Sequence, residues 1–208
     1  MLEKPKQMSE SLLLGVVLTL AGGFQDAYSY NCRGQVFANA QTGNIVLLGQ
    51  NLAAGSFYHA LRYLLPILAF LGGVYLSERV HNWCQGNFRL HWRQVILGVE
   101  ICLLIVAGLM PQTMNTPANI LLSFACAMQV TSFRKFRGLP CATTMCIGNM
   151  RSATELLCRY HITKDPELKR KSMHYYFIIF VFAVGAAIGA VLSHRIGDRS
   201  IWIAAGLM

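Results

Sequence analysis

Charged residues are scarce in this sequence. Only 13% of the 208 residues are charged and 54% are hydrophobic, whereas about a quarter of the residues in an ordinary soluble domain are charged. This deficit argues against a soluble domain. The apolar residues fall in blocks at 11–24, 64–76, 95–110, 117–130 and 175–193.

Recognisable catalytic and metal-binding motifs are also missing. The seven cysteines form no close CxxC pair and the six histidines no HExxH spacing, so we predict neither a disulfide framework nor a metal site. GxSxG, P-loop and dinucleotide fingerprints are absent as well. We therefore expect a protein that is not an enzyme and needs no cofactor.

Acidic residues are the rarer of the two charge types. The chain has eighteen Lys and Arg residues and nine Asp and Glu residues, which gives a net charge of +9. In a soluble chain this excess would indicate nucleic acid as a partner. Basic loops that flank apolar spans explain the same excess through the positive-inside rule. We expect a lipid bilayer as the partner and no nucleic acid.

The apolar blocks predict the fold class. With their flanks they approach the roughly 20 residues that a helix needs to cross a bilayer. Unbroken apolar runs exclude the alternating pattern of a membrane barrel, which leaves helices. The predicted fold is all-α, a polytopic helical membrane protein with one integral membrane domain over 1–208.

The chain resembles itself at an offset near half its length. Residues 22–52 align with 126–157, and the aligned units extend over 11–110 and 115–208. This predicts two copies of one unit. The matched pairs are Gln25 with Gln129, Arg33-Gly34 with Arg137-Gly138, Gly43-Asn44 with Gly148-Asn149, and Gly73 with Gly189.

The positions of the basic residues predict how the units are oriented. If both motif segments, 36–54 and 141–159, are re-entrant or broken, most Lys and Arg collect on one side, including Lys4, Lys6, Arg89 and Arg137. That side is then the cytoplasm, and it holds the N-terminus. Each unit crosses three times, so the repeats are inverted. The predicted crossings are 10–30, 59–79, 94–110, 116–133, 172–194 and a short segment from 199.

Each motif segment carries a Gly-Asn pair that predicts a helix break. Gly permits a bend and Asn caps a helix, so a short helix would begin at Gly43-Asn44 and another at Gly148-Asn149. Their N-termini would meet near the midplane and favour an anionic or carbonyl-bearing solute. The alternative is that these small and polar residues only pack helices together.

Two charged residues fall at membrane depth. Asp26 ends the first helix of one unit and Arg151 lies in the motif of the other, so an inverted repeat predicts that they pair. Alternatively, Asp26 lies at the interface and Arg151 snorkels to lipid headgroups. Glu100 is a lone carboxylate within an apolar block, and either proton coupling or a structural role fits it.

The motifs resemble those of a known family. GGFQDAYSY followed by VFANAQTGNIVLLG, and later FRKFRGLPCATTMCIGNMRSATELL, are similar to the YoaK family, bacterial multi-pass membrane proteins grouped under a domain of unknown function. The resemblance covers nearly the whole chain. It implies a cytoplasmic-membrane location and a compact architecture of about six helices, and it names no substrate.

Together these patterns predict a small-solute transporter or channel that forms a homo-oligomer, with its site between the two units. The alternative is a non-transporting scaffold or regulatory protein of the membrane. The predicted site residues are Gln25, Asp26, Thr42, Gly43, Asn44, Gln129, Gly148, Asn149 and Arg151.

Overall fold

The computed structural model describes residues 11–84, 92–136 and 138–208. Four residues used to predict the membrane orientation or the internal repeat lie outside these ranges: Lys4, Lys6, Arg89 and Arg137. In the described residues the chain is almost entirely helical, which confirms the all-α class. The α-helices are α1 Leu12–Cys32, α2 Gln41–Ala53, α3 Phe57–Cys84, α4 Trp92–Leu109, α5 Asn115–Ser132, α6 Cys146–Thr163, α7 Pro166–Ile196 and α8 Ile201–Leu207.

Local sequence signals set several helix ends. Ser11 caps α1 by accepting a hydrogen bond from the amide of Leu14 at 3.2 Å. At α7, Asp165 is the N-cap and Pro166 takes the first helical position, a combination that favours helix initiation. The same helix ends at Gly197, whose φ of +71° lies in the left-handed region.

Four stretches are long and apolar enough to cross a membrane by length and composition: Leu12–Cys32, Phe57–Trp83, Trp92–Leu109 and Pro166–Leu207. They agree with the predicted crossings there and support a multi-pass membrane protein. Helix α5, which covers the predicted crossing 116–133, is as long as α4 but is not among these four stretches. Polar side chains interrupt its buried apolar residues, namely Asn119, Ser123, Gln129, Thr131 and Ser132. The last stretch contains a 3-10 turn, Gly197–Ser200, and only the short α8 follows it.

The principal helix contacts pair one half of the chain with the other. Helix α1 packs along α7, and α5 packs along α3. Two glycines at matched positions make this close approach possible. A Cβ added at Gly189 would lie 2.7 Å from the Phe24 carbonyl oxygen, and one added at Gly73 would lie 2.6 Å from the Phe124 carbonyl oxygen. Each glycine therefore lets its helix touch the backbone of the opposite half.

The buried apolar side chains form two clusters that hold these helices together. One lies among α1, α4, α5 and α8, and the other among α1, α6, α7 and the hairpin of strands β1 Lys135–Phe136 and β2 Leu139–Pro140. The members of the first include Phe24, Tyr28, Leu104, Leu122 and Ile201, and those of the second include Leu18, Phe133, Phe136, Tyr175 and Ile178.

Candidate functional site

A cavity of about 840 Å³ lies between the two motif segments. The first turns of α2 and α6 line it, together with side chains from α1, α3, α5 and α7. Its polar lining comprises Asp26, Asn39, Gln41, Thr42, Thr131, Arg134, Thr144, Cys146, Asn149 and Ser152. Its apolar lining includes Phe70, Val74, Val130, Met145, Ile147 and Phe182.

The first motif segment reaches the cavity through an irregular stretch and then α2. The backbone turns at Gly34, with φ of +80°, and at Gln35, with φ of +61°. Asn44 then fixes the stretch, since its side chain accepts from the Phe37 amide at 3.0 Å and donates to the Phe37 carbonyl at 2.8 Å. An amide side chain that bonds both polar groups of a distant residue holds the loop against the helix.

The second motif segment repeats this arrangement. Gly138, the partner of Gly34 in the repeat, also has a left-handed φ, +77°. The side chain of Asn149 donates to the carbonyl of Ala142, seven positions earlier, at 2.8 Å. The side chain of Asn44 likewise bonds Phe37, which is also seven positions earlier. Matched residues thus perform matched backbone contacts in the two halves. The opposite orientation of the units stays a prediction.

The predicted helix breaks at Gly43-Asn44 and Gly148-Asn149 are wrong in position. Helix α2 begins at Gln41 and α6 at Cys146, and neither N-cap, Ala40 or Met145, makes a side-chain cap. The Gly-Asn pairs lie within the first turn instead. There each Asn side chain forms a hydrogen bond with the backbone of the preceding irregular stretch and does not cap its own helix.

Asp26 brings a carboxylate to the cavity wall. The residue is 8% exposed, and its Oδ1 accepts a hydrogen bond from the Asn39 amide at 2.7 Å. Asn39 itself donates to the Gly22 carbonyl at 3.0 Å, which ties the stretch before α2 to α1. Asp26 therefore lies close to the start of α2, where amide groups favour a negative charge.

The predicted Asp26–Arg151 pair is not formed. The Arg151 side chain is 80% exposed and bonds Glu155 on the same helix at 2.7 Å. Sequence alone placed Arg151 in the right segment, but its position on α6 faces away from the cavity. The ion pair one turn along the helix is the common local solution for an exposed arginine.

Gln25 and Gln129 are both fully buried and connect helices to one another. Gln25 donates to Glu100 Oε1 at 3.4 Å and accepts from the Cys126 thiol at 2.7 Å. Gln129 donates to the Leu18 carbonyl at 3.1 Å and to the Thr143 hydroxyl at 3.3 Å. They contribute to the packing of the helices behind the cavity and are not part of its lining.

The predicted site residues thus divide into two groups. The members that line the cavity are Asp26, Thr42, Gly148 and Asn149, and those that do not are Gln25, Gly43, Asn44, Gln129 and Arg151. Asn39, Thr144 and Ser152 also line it and were missed by the sequence reasoning. Asn39 and Thr144 occupy matched positions in the repeat, which is the one signal that could have identified them.

Arg33, which the repeat matches with Arg137, is a further residue whose role the sequence did not indicate. It follows α1 directly, and its side chain is fully buried between helix ends. It donates to the Tyr28 hydroxyl at 2.9 Å and to the Ala107 carbonyl at 2.8 Å, and lies 3.8 Å from Asp198. A buried arginine persists where hydrogen bonds and a counter-charge compensate its desolvation.

The charges and donors of the cavity define what it can bind. Its walls are largely apolar, and hydroxyl and amide groups cluster at the starts of α2 and α6. Arg134 lines it too, but forms an ion pair with Glu78. No group of His, Cys, Asp or Glu side chains suited to a metal ion occurs among the described residues. The arrangement suits a small organic solute with a few polar atoms.

Comparisons with known proteins agree with a membrane protein. The sequence model of a family described as "Protein of unknown function (DUF1275)" matches residues 14–208. Over 196 residues the chain is 24% identical to the UPF0700 transmembrane protein YoaK of Bacillus subtilis (strain 168). The aligned region covers 90% of this chain and 86% of that protein. No solved structure matches the chain.

Proposed function

The chain belongs to the DUF1275 family of proteins of unknown function, and we propose that it is a small-solute membrane transporter or channel. The observation that carries the proposal is the cavity of about 840 Å³ that both motif segments line, although 86 residues of the chain separate them. Its volume lies in the range of roughly 300–1,000 Å³ that is typical of small-molecule sites.

The backbone at the cavity supports this proposal. Residues 34–40 and 141–145 are irregular, and each stretch leads into a helix whose first turn lines the cavity. Non-helical backbone at membrane depth is tolerated where it is buried in protein or lines a water-filled cavity. Paired interruptions in two halves of a chain are the best pointer to a transport site.

The solute class follows from the lining. The uncapped start of α6 offers backbone N–H groups, and Thr144, Asn149 and Ser152 offer side-chain donors and acceptors. These groups suit a carbonyl-bearing solute. The Asp26 carboxylate repels a free anion, so of the two predicted solute types the carbonyl-bearing one fits better.

The setting proposed for this activity is the bacterial cytoplasmic membrane, with the N-terminus in the cytoplasm. The excess of basic residues on one side of the predicted topology supports that orientation. The two units are inverted with respect to each other. The protein forms a homo-oligomer, because a single chain of this size encloses only a narrow interior. It acts on no covalent bond and binds no nucleic acid.

A panel of small polar solutes tests the proposal through thermal stability in detergent. A solute at 100 times its dissociation constant stabilises the folded state by about 2.7 kcal/mol, which raises Tm measurably. Thr144→Val removes a hydroxyl from the cavity and is expected to weaken the shift. Thr113→Val is the control, because Thr113 is exposed outside the cavity.

The result that contradicts the proposal is a solute shift that is equal in the wild type, Thr144→Val and Thr113→Val. A panel in which no solute changes Tm also counts against it. Either result favours the alternative, a non-transporting scaffold or regulatory protein in which the repeat serves helix packing alone.

A further inference from the structure

Glu100 is a carboxyl group that the proposed solute site does not use. It lies on α4, fully buried, and its Oε1 accepts one hydrogen bond, from Gln25 at 3.4 Å. Its Oε2 has no hydrogen-bond partner in the described part of the chain. Nor does any described Lys, Arg or His form an ion pair with it. A carboxylate in such a place is poorly compensated.

The energetic cost decides which form of Glu100 is stable. A charged carboxylate within a membrane-spanning helix is costly because it loses its hydration. One long hydrogen bond from an amide returns only part of that cost. The neutral acid avoids the cost, so Glu100 is expected to hold its proton.

A line of buried polar groups connects Glu100 with Asp26. Gln25, which bonds Glu100, accepts from the Cys126 thiol at 2.7 Å. Cys126 also contacts the Asn39 side chain. The backbone N–H of Asn39 donates to Asp26 Oδ1 at 2.7 Å. The line therefore begins at a closed carboxyl and ends at one that borders the cavity.

Few other groups that can carry charge face these two carboxyls. Helix α5 presents Cys126, and the cavity wall that contains Asp26 also contains Cys146 on α6 and Cys141 just before it. Helices α3 and α7 present apolar side chains to the cavity, namely Phe70, Val74 and Phe182. The remaining charged lining residue is Arg134, which pairs with Glu78. The described residues thus supply no cation that neutralises Asp26 directly.

We propose that Asp26 binds and releases a proton at the cavity wall, and that this proton is the coupling ion for the solute. The inference rests on the proposed transport function. A proton from cavity water converts the Asp26 carboxylate to the acid, and the reverse step returns it to water. Glu100 acts as a positioning residue: as a neutral acid it bonds Gln25, which in turn bonds Cys126, without adding a second negative charge.

The physical basis of the coupling is linkage. Carboxyl groups that share a poorly hydrated region resist ionising together. A solute whose polar atoms approach Asp26 changes the affinity of Asp26 for the proton, and the proton changes the affinity for the solute by the same factor. Proton movement and solute movement then depend on one site.

Infrared spectroscopy of the reconstituted protein tests the proton site without a known solute. The wild type is expected to show a carboxylic acid C=O band that grows as the pH is lowered over the measured range. Asp26→Asn removes that band. A second acid band, present throughout the range, disappears in Glu100→Gln. Glu155→Gln, at an exposed carboxylate on α6, leaves both bands unchanged.

Isotope labelling of aspartate carboxyls keeps the test decisive if Asp26→Asn does not fold, because it shifts aspartate bands and not glutamate bands. A wild-type spectrum without a titrating aspartate acid band overturns the proton proposal. If a solute still stabilises the protein equally at every pH, the solute site stands without coupling. If Asp26 titrates but no solute binds, the transport proposal fails and the proton site remains.

Discussion

Replacing Arg33 with alanine is expected to lower the free energy of unfolding by about 3–5 kcal/mol, the usual cost of removing one partner from a buried ionic network. The guanidinium at the end of α1 bonds the Tyr28 hydroxyl on the same helix, the Ala107 carbonyl on α4 and Asn115 on α5. Alanine removes these hydrogen bonds and leaves Asp198 without its counter-charge. Thermal unfolding in detergent measures the loss.

Two comparison variants separate this network from a general effect of removing charge. Arg195→Ala removes an exposed arginine near the end of α7 and is expected to change the stability by no more than about 0.5 kcal/mol. Arg33→Lys keeps the charge, but an ammonium lacks the planar fork of donors, so it restores only part of the loss. Equal stability of Arg33→Ala and Arg195→Ala would contradict the network.

Placing tryptophan at Gly148 is expected to abolish solute binding while leaving the fold intact. Gly148 lines the cavity in the first turn of α6, and a Cβ added there meets no atom within 4 Å. A large side chain therefore extends into free space, which is the volume that the solute needs. The measurement is the solute-dependent rise in Tm, which the variant should lose.

Gly49→Trp is the matched control for this experiment. Gly49 is also an exposed helical glycine with nothing within 4 Å of an added Cβ, and it does not line the cavity. We expect this variant to bind the solute as the wild type does. If Gly148→Trp retained the full solute shift, the cavity would not be the binding site.

The spans could be predicted because composition alone determines them. Apolar runs such as those in α1 and α4 have no stable alternative to crossing the bilayer as helices. The internal repeat also left a signal, since Gly34 and Gly138, and Asn44 and Asn149, take matched conformations or contacts. Spacing and residue type were enough to find these positions.

The contacts of individual side chains were harder to predict. Asn44 and Asn149 suit a helix cap, but they bond residues seven positions earlier, a contact that exists only once the loop has folded back. Arg151 shares its helix with cavity residues but projects from the exposed face. The sequence shows which segment contains Arg151. The direction of its side chain depends on how α6 is rotated about its axis relative to the neighbouring helices.

Arg33 illustrates the same difficulty in the opposite direction. A basic residue beside a glycine at the end of an apolar helix is typical of a solvated loop. Its partners come from four other parts of the chain, including Ala107, Asn115 and Asp198. Only the packed arrangement of α4, α5 and the turn before α8 brings them together.

Passage of a solute through the cavity and across the membrane is tested most directly by the accessibility of Cys146. This half-buried thiol lines the cavity. A variant that keeps Cys146 as its single cysteine is treated with a membrane-impermeant thiol reagent in right-side-out and in inverted vesicles. A variant that keeps only Cys102, exposed on the membrane-spanning α4, is the control and should not react from either side.

A transporter or channel predicts that Cys146 is labelled from both sides, since the cavity opens to each side in turn or to both at once. It also predicts that a bound solute slows the labelling. Labelling from one side alone, or from neither, would contradict transport and support a scaffold whose cavity opens to at most one side of the membrane.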